Sequence, residues 1–311
     1  MDNSALLATT IANKTIGYFG KYMNLAATVA RDWDYEPATE GESVKIGKRG
    51  ALTANTKTAG GDVTLQSPAA TGVTVTLDTH KEVTIDLTDV TKAKQAKKLD
   101  IMDGYAKDAA AVLLETVEDA LAALYASLTA TAVVFDATST ATKKASLLNL
   151  RKAFTDAKVP KSEQRYLYLG SQSTTEIMEE DSFTRVDAVG QSETLESGQI
   201  ARPLFGFKPF ESQSVVTTLN TTPTPDENTE RNIAYTKDAF VVATRPLPAP
   251  AAGLGVISNV VVDPETGIAL RTLLSYNSNK LAEQLTIDLL FGVKVLDQRR
   301  AVPFNLTYQV A

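Results

Sequence analysis

The chain has 311 residues, 43% hydrophobic and 22% charged, enough for a sizeable core and two or three subdomains. It has no cysteine and one histidine, so disulfides and thiolate metal sites are excluded and the common nucleophile–base triads lack their parts. With 31 basic and 37 acidic side chains and a formal net charge of -6, it disfavours a sequence-specific nucleic-acid binder and suits a protein lying near nucleic acid without gripping it.

No N-terminal apolar run resembles a signal peptide, and no stretch of about 18 apolar residues is there to span a membrane. A cytosolic protein with no membrane partner is therefore expected. Residues 1–40 are mixed, with a possible short helix from Ser4 to Ala12. Tyr18, Phe19, Tyr22, Trp33 and Tyr35 gather in this arm, which holds the chain's one tryptophan. Two readings stand: an edge element packed on the core, or an arm whose aromatic groups bury on a neighbouring subunit.

Glu40–Asp89 reads as strands. Ser43–Arg49 alternates weakly, and Val63–Leu65, then Val73, Val75 and Leu77, then Val83, Ile85 and Leu87 follow period two. Between them, Leu52–Asp62 (LTANTKTAGGD) is polar and ends in Gly60–Gly61. The pattern predicts a long two-stranded ribbon with a flexible, mildly basic end that includes Lys57. An isolated ribbon is marginal in water, so cover from outside its own subunit is expected. Lys92, Lys94, Lys97 and Lys98 form a basic run, read as a solvated face or a phosphate contact.

Asp103–Leu128 is the strongest helix signal. Ala109, Val112, Leu113, Val117, Ala120, Leu121, Leu124 and Leu128 recur at spacings of three and four, while Lys107, Asp108, Glu115, Glu118 and Asp119 fall mostly off that stripe. Lys143–Ala157 is a second amphipathic helix with Leu147, Leu150 and Phe154 on one face. Arg165–Leu169 is a short buried strand, Ser171–Glu180 a short helix and Ser182–Gln199 a loop. Val215–Asn232 has the composition of an exposed loop. Ala239–Thr244, Val256–Val262 and Ile268–Tyr276 read as strands, and Leu281–Leu296 alternates over the longest span near the C-terminus.

Sites of chemistry are not apparent. His80 lies between two strand signals, as a structural histidine does. Gly41–Lys48 has one residue too many for a phosphate-binding loop and lacks its Ser/Thr. Glu179, Glu180 and Asp181 read as a solvated helix end, and Asp263–Gly267 lacks the acids of a calcium loop. No catalytic, cofactor-binding or metal residue is assigned, no cofactor is expected, and a sugar- or phosphate-processing enzyme finds no support.

The order of elements resembles the major capsid (coat) proteins of tailed double-stranded DNA bacteriophages, most of all the short-tailed-phage type. The likeness lies in Gly41–Asp89, including VTVTLDTHKEVTIDLTD; in LRKAFTDAKV, RYLYLG and SGQIARPLFGFKPFES, with Gly206, Phe207 and Ser212 on a recurrent pattern; and in DAFVVATRPLPAP through FGVKVLDQRRAVPF. It implies an α+β fold: an N-terminal arm (1–42), an extended ribbon loop (43–89), a peripheral domain with a long spine helix and long strands (90–131 and 256–311), and an axial α/β domain (132–255). It implies self-assembly into hexamers and pentamers around packaged DNA bound without sequence specificity, in the host cytoplasm, with a separate scaffolding protein and a portal. Where some short-tailed-phage coats carry an extra β-rich domain, this chain has only Val215–Asn232. The assembly candidates are Tyr18, Phe19, Tyr22, Trp33, Tyr35, Lys57, Gly60 and Gly61. An acidic helix face of Asp108, Glu115, Glu118 and Asp119 is expected to look into the particle, and the tip Asn55–Gly61 to order only against an adjacent copy. The alternative is an encapsulin, a shell of the same fold that holds protein cargo.

Overall fold

A computed structural model describes residues 24–31, 43–48, 50, 52–67, 71–89, 98–180, 200, 203–222, 226–251, 255–262 and 268–309. In chain order these form α1 (Leu25–Thr28), β1 (Ala30–Arg31), β2 (Ser43–Lys48), β3 (Thr71–Thr76), β4 (Thr79–Thr88) and α2 (Lys98–Ala123). Then come β5 (Val133–Val134), α3 (Thr140–Asp156), β6 (Arg165–Leu169), α4 (Ser171–Met178), β7 (Phe207–Glu211), β8 (Thr217–Asn220) and β9 (Glu227–Thr236). The chain continues with β10 (Phe240–Arg245), β11 (Ile257–Val262), β12 (Ala269–Asn277), β13 (Ala282–Val295) and β14 (Ala301–Gln309).

The alternating stretch near the C-terminus becomes β13, and the first sheet is built around it. One edge of β13 pairs with β4 from Ala282 to Phe291. The other edge is shared, β12 lying beside Ala282–Asp288 and β10 beside Leu290–Val295. β11 extends the sheet beyond β12, and β1 adds in parallel to β10. The period of two sends Leu285, Ile287, Leu289 and Phe291 to the face that packs on α2, and Leu290 to the other.

The long helix forms, displaced from its expected span. It starts five residues earlier, because Lys98–Met102 contains no breaker, and its last turn tightens into a 3-10 turn at Leu124–Ser127. Its buried face is also rotated. Ala109, Leu113, Leu114, Val117, Leu121 and Ala122 are buried, whereas Val112 is 51% exposed. Full burial of each leucine contributes roughly 2 kcal/mol. The row Leu114–Glu118–Ala122 thus faces inward, which corrects the placement of Glu118 on an exposed acidic face.

The second sheet runs β5-β14-β9-β6-β7, with β8 also on β9. α3 and α4 cover one face, where Leu147, Leu150, Phe154 and Ile177 meet Leu167, Leu169, Phe207, Ala234 and Phe304. The opposite face gives Tyr168, Ile233 and Tyr235 to the α2 core. α3 is opened by Ser139, whose side chain accepts from Thr142 N–H while the Thr142 hydroxyl accepts from Ser139 N–H. Two short turns, Lys237–Ala239 and Gln298–Arg300, carry the chain from one sheet to the other side by side. There Leu296 N–H donates to the Ala239 carbonyl at 2.8 Å.

Val215–Asn232 is no exposed loop: it contains β8 and most of β9, and Glu230 and Asn232 are buried. Glu230 accepts from Gln172 N–H (3.0 Å), Ser173 N–H (2.9 Å) and the Ser173 hydroxyl (2.6 Å). Asn232 accepts from Gly170 N–H at 2.8 Å and donates to Ser173 Oγ at 2.7 Å. The first turn of α4, which has no partner of its own for these donors, is thereby held from the neighbouring strand. Val63–Leu65 forms no strand. The expected ribbon is β2 on β3 alone, since β4 leaves to pair with β13.

Candidate assembly surface

Tyr18, Phe19, Tyr22, Trp33 and Tyr35 lie outside the described residues. Lys57, Gly60 and Gly61 come together at the end of a long loop, residues 52–67, between β2 and β3. Its far end is a turn in which Gly61 N–H donates to the Thr58 carbonyl at 3.1 Å. Gly60 sits at φ +80 in that turn, a conformation in which a side chain is strained. The neck of the loop is closed by Gln66, which accepts from Thr53 N–H at 3.0 Å and donates back to the Thr53 carbonyl. Lys57 is exposed.

Sequence reasoning did not single out Leu52, Val63 and Leu65. They are 72%, 65% and 91% exposed, and none belongs to an apolar cluster among the described residues. Exposed apolar groups brought together on one loop are candidates for an interaction site. The signal was present as apolar residues beside a Gly-rich polar tip, but alternation alone assigned Val63 and Leu65 to a strand.

The root of the ribbon corrects the expectation that its cover comes from another subunit. Val44, Ile46, Val75 and Leu77 pack on Ala30, Val241, Ala243 and Leu296, on the sheet face away from α2. Lys294 Nζ donates to the Thr74 carbonyl at 2.8 Å, and Lys48 Nζ lies 2.9 Å from the Asp297 carboxylate. Where β3 crosses β13, the Thr76 carbonyl rests on Gly292, leaving no space for a side chain.

Burial alone raises the Asp297 carboxyl, but hydrogen bonds from Arg299 and Lys48 outweigh it and hold it at about 2. A carboxyl held below its ordinary 3.8 stabilises the fold above that pH and loses the contribution as pH falls through its folded value. The ribbon root is therefore expected to loosen between about pH 4 and pH 2. Hydrogen exchange in β2 and β3 should show that step in the native chain and lack it in Asp297→Asn.

Glu118 ties the N-terminal segment to the spine. Its carboxylate accepts from Leu25 N–H at 3.1 Å and Ala26 N–H at 3.4 Å, the first turn of α1, and the Tyr168 hydroxyl stands 3.2 Å away. Burial pushes this carboxyl above the ordinary glutamate range, and the three donors oppose that only in part. Tyr235 completes the joint through Thr28, hydroxyl to hydroxyl at 2.6 Å. On the sheet face away from α2, buried Asp288 is shared by Arg271 and by His80, whose Nε2 is 3.2 Å away. Arg271 also donates to the Pro248 carbonyl at 2.7 Å, so this group fastens the segment after β10 that holds Pro246, Pro248 and Pro250. Among the described residues no three His, Cys, Asp or Glu side chains gather as a metal site would require.

A two-sheet body, a long helix whose core draws on both sheets and a loop with bare apolar groups suit a structural subunit that meets other chains. Residues 24–246 match the family described as phage capsid protein, and the chain belongs to that family. It is a shell-forming phage major capsid protein, a component of the virion capsid. Its mixed helix-and-sheet fold is that of solved phage capsids. The structure from Mycobacterium phage Che8 aligns with TM-score 0.62 and 18% identity, over 89% of this chain and 88% of that one. The capsid of Cyanophage P-SCSP1u aligns with TM-score 0.62 and 11% identity, over 90% and 86%. The virus-like particle from Pyrococcus furiosus aligns with TM-score 0.52 and 9% identity, over 95% and 98%. Among curated proteins no sequence match is found.

Proposed function

We propose that copies of this chain form hexamers and pentamers that close into an icosahedral shell around double-stranded DNA, with the 52–67 loop lying over an adjacent copy. The observation that carries this reading is the bare apolar set Leu52, Val63 and Leu65 on a loop whose root is fixed to its own subunit. A head-to-tail contact of this kind generates rings when its rotation closes. The division into an arm (1–42), a ribbon loop (43–89), a peripheral domain (90–131 and 256–311) and an axial domain (132–255) is kept, with three strands moved by their pairing. β4 and β10 go with β13 to the peripheral part, and β14 goes with β9 to the axial part. Tyr18, Phe19, Tyr22, Trp33 and Tyr35 remain the arm's proposed contacts, and Lys57, Gly60 and Gly61 those of the tip. Assembly takes place in the host cytoplasm on a separate scaffolding protein and a portal, without catalysis by this chain. Membership of the phage capsid family favours a DNA-filled shell over one holding protein cargo.

Val63→Ser with Leu65→Ser tests the loop. The expected result is an unchanged fold and a several-fold lower shell yield, since the two side chains join no apolar cluster among the described residues. Unchanged yield and heat stability of the shells would remove the loop from the contact. Asp108, Glu115 and Asp119 are exposed on α2, and we place this face toward the packaged DNA. Weak DNA affinity of the free chain at physiological salt is then expected. Tight binding with a steep salt dependence contradicts that placement.

A further inference from the structure

A groove of about 460 Å³ opens on the far part of the second sheet and shares no residue with the ribbon. Its floor is the face of β8, β9 and β14, where Thr218, Thr229, Arg231 and Asn305 stand. Its wall is the segment that follows α2, beginning at Tyr125. That wall is fixed in place. The Tyr125 hydroxyl donates to Asn305 Oδ1 at 2.7 Å, and Gln298 accepts from Thr129 N–H at 3.1 Å and donates to the Ser127 carbonyl at 2.9 Å.

Among the described residues that line the groove, Arg231 carries the one charge and none is acidic. Its guanidinium lies 5.4 Å from the Tyr125 ring centre, over the ring. It has no hydrogen-bond or ion-pair partner among the described residues. A half-buried guanidinium stacked on an aromatic ring has lost most of its rotamer freedom and presents its donor fork in a set orientation. Around it are hydroxyls and an amide that serve as hydrogen-bond partners for peptide backbone.

We infer that this groove binds a short extended peptide segment of another protein through an Asp or Glu carboxylate paired with Arg231. Charge complementarity selects the occupant. A planar carboxylate accepts two N–H groups of the fork, whereas an amide in its place keeps one acceptor oxygen and turns its N–H₂ on the second donor. The neutral threonine and asparagine lining favours a peptide over a nucleic acid strand, which would need several cations to follow its phosphates.

The test uses the full, unassembled chain, so its outcome does not depend on shell formation. The probes are two blocked pentapeptides, Ala-Asp-Leu-Glu-Ala and Ala-Asn-Leu-Gln-Ala, with inorganic phosphate and a short DNA duplex as competitors. The acidic peptide is expected to shift the amide resonances of Thr218 and Thr229 and to bind at least tenfold more tightly than its amide counterpart. Arg231→Gln should weaken the acidic peptide at least tenfold, and Arg231→Lys less. Equal binding of the two peptides overturns the inference, as does displacement by phosphate or duplex at matched concentration. So does Arg231-dependent dimerisation in sedimentation, which would make a second copy the occupant. Should Arg231→Gln unfold, the paired peptides on the native chain still decide.

Discussion

Gly292→Ala is expected to destabilise the subunit by about 3 kcal/mol, near the upper end for forcing one methyl into a packed site. The added carbon would overlap the Thr76 carbonyl oxygen and come within 2.9 Å of the Thr76 carbonyl carbon, both backbone atoms that no rotamer change can move away. β3 would have to lift off β13. The lift would break the Lys294 bond to Thr74 and uncover Val75 and Leu77, which complete the ribbon's own core. Gly47→Ala is the control, because no atom stands within 4 Å of a carbon added there. It should cost under about 1 kcal/mol, or nothing, by the ordinary propensity scale. Chemical denaturation of both variants measures the difference, and hydrogen exchange in β2 and β3 should rise only in Gly292→Ala. Equal stability of the two would mean that the crossing of β3 over β13 is not close packed.

The second large effect is expected at Glu230→Ala, at about 4 kcal/mol. Removing this carboxylate strips the acceptor from two backbone N–H groups and one hydroxyl at the start of α4, each costing about 1–3 kcal/mol when left buried and unpaired. Against the usual 5–15 kcal/mol of a folded domain, such a loss is a large fraction of what holds the second sheet and its helices. Glu230→Gln keeps one acceptor oxygen and turns an amide N–H₂ toward the remaining donors, so it should recover only part of the loss. Thermal unfolding of the three proteins gives the order native, Gln, Ala. An alanine variant as stable as the native chain would mean that water replaces the carboxylate at the helix start.

The parts legible in the sequence were those that carry their own periodicity. α2, α3 and β13 were found because apolar residues recur at 3.6 or 2 over many residues, and that repetition survives errors at either end. β14 was missed because Pro303 interrupts it, and proline argues against a central strand. Val302, Phe304 and Leu306 nevertheless alternate inward, and Pro303 takes its place opposite Ile233. β9 was read as a loop because its first residues are Glu, Asn, Thr, Glu, Arg and Asn. Glu230 and Asn232 are buried there by the helix they cap, 57 to 62 residues away in sequence. Glu118 failed for the same reason: two of its donors come from more than 90 residues upstream and the third, Tyr168, from 50 residues downstream, and nothing local on α2 announces them. The tip glycines were legible from turn chemistry alone. The apolar flanks of the loop were visible as residues but not as exposed ones, because exposure depends on where the loop projects.

The proposed contact is the 52–67 loop of one copy over an adjacent copy in a closed shell. Cryo-electron microscopy of particles assembled from the purified chain, with a scaffolding protein supplied, tests it most directly. Closed particles with rings of five and six subunits are expected, with Leu52, Val63 and Leu65 buried against the neighbouring subunit. Particles in which these side chains remain in solvent, or a chain that stays monomeric under every assembly condition, would contradict it.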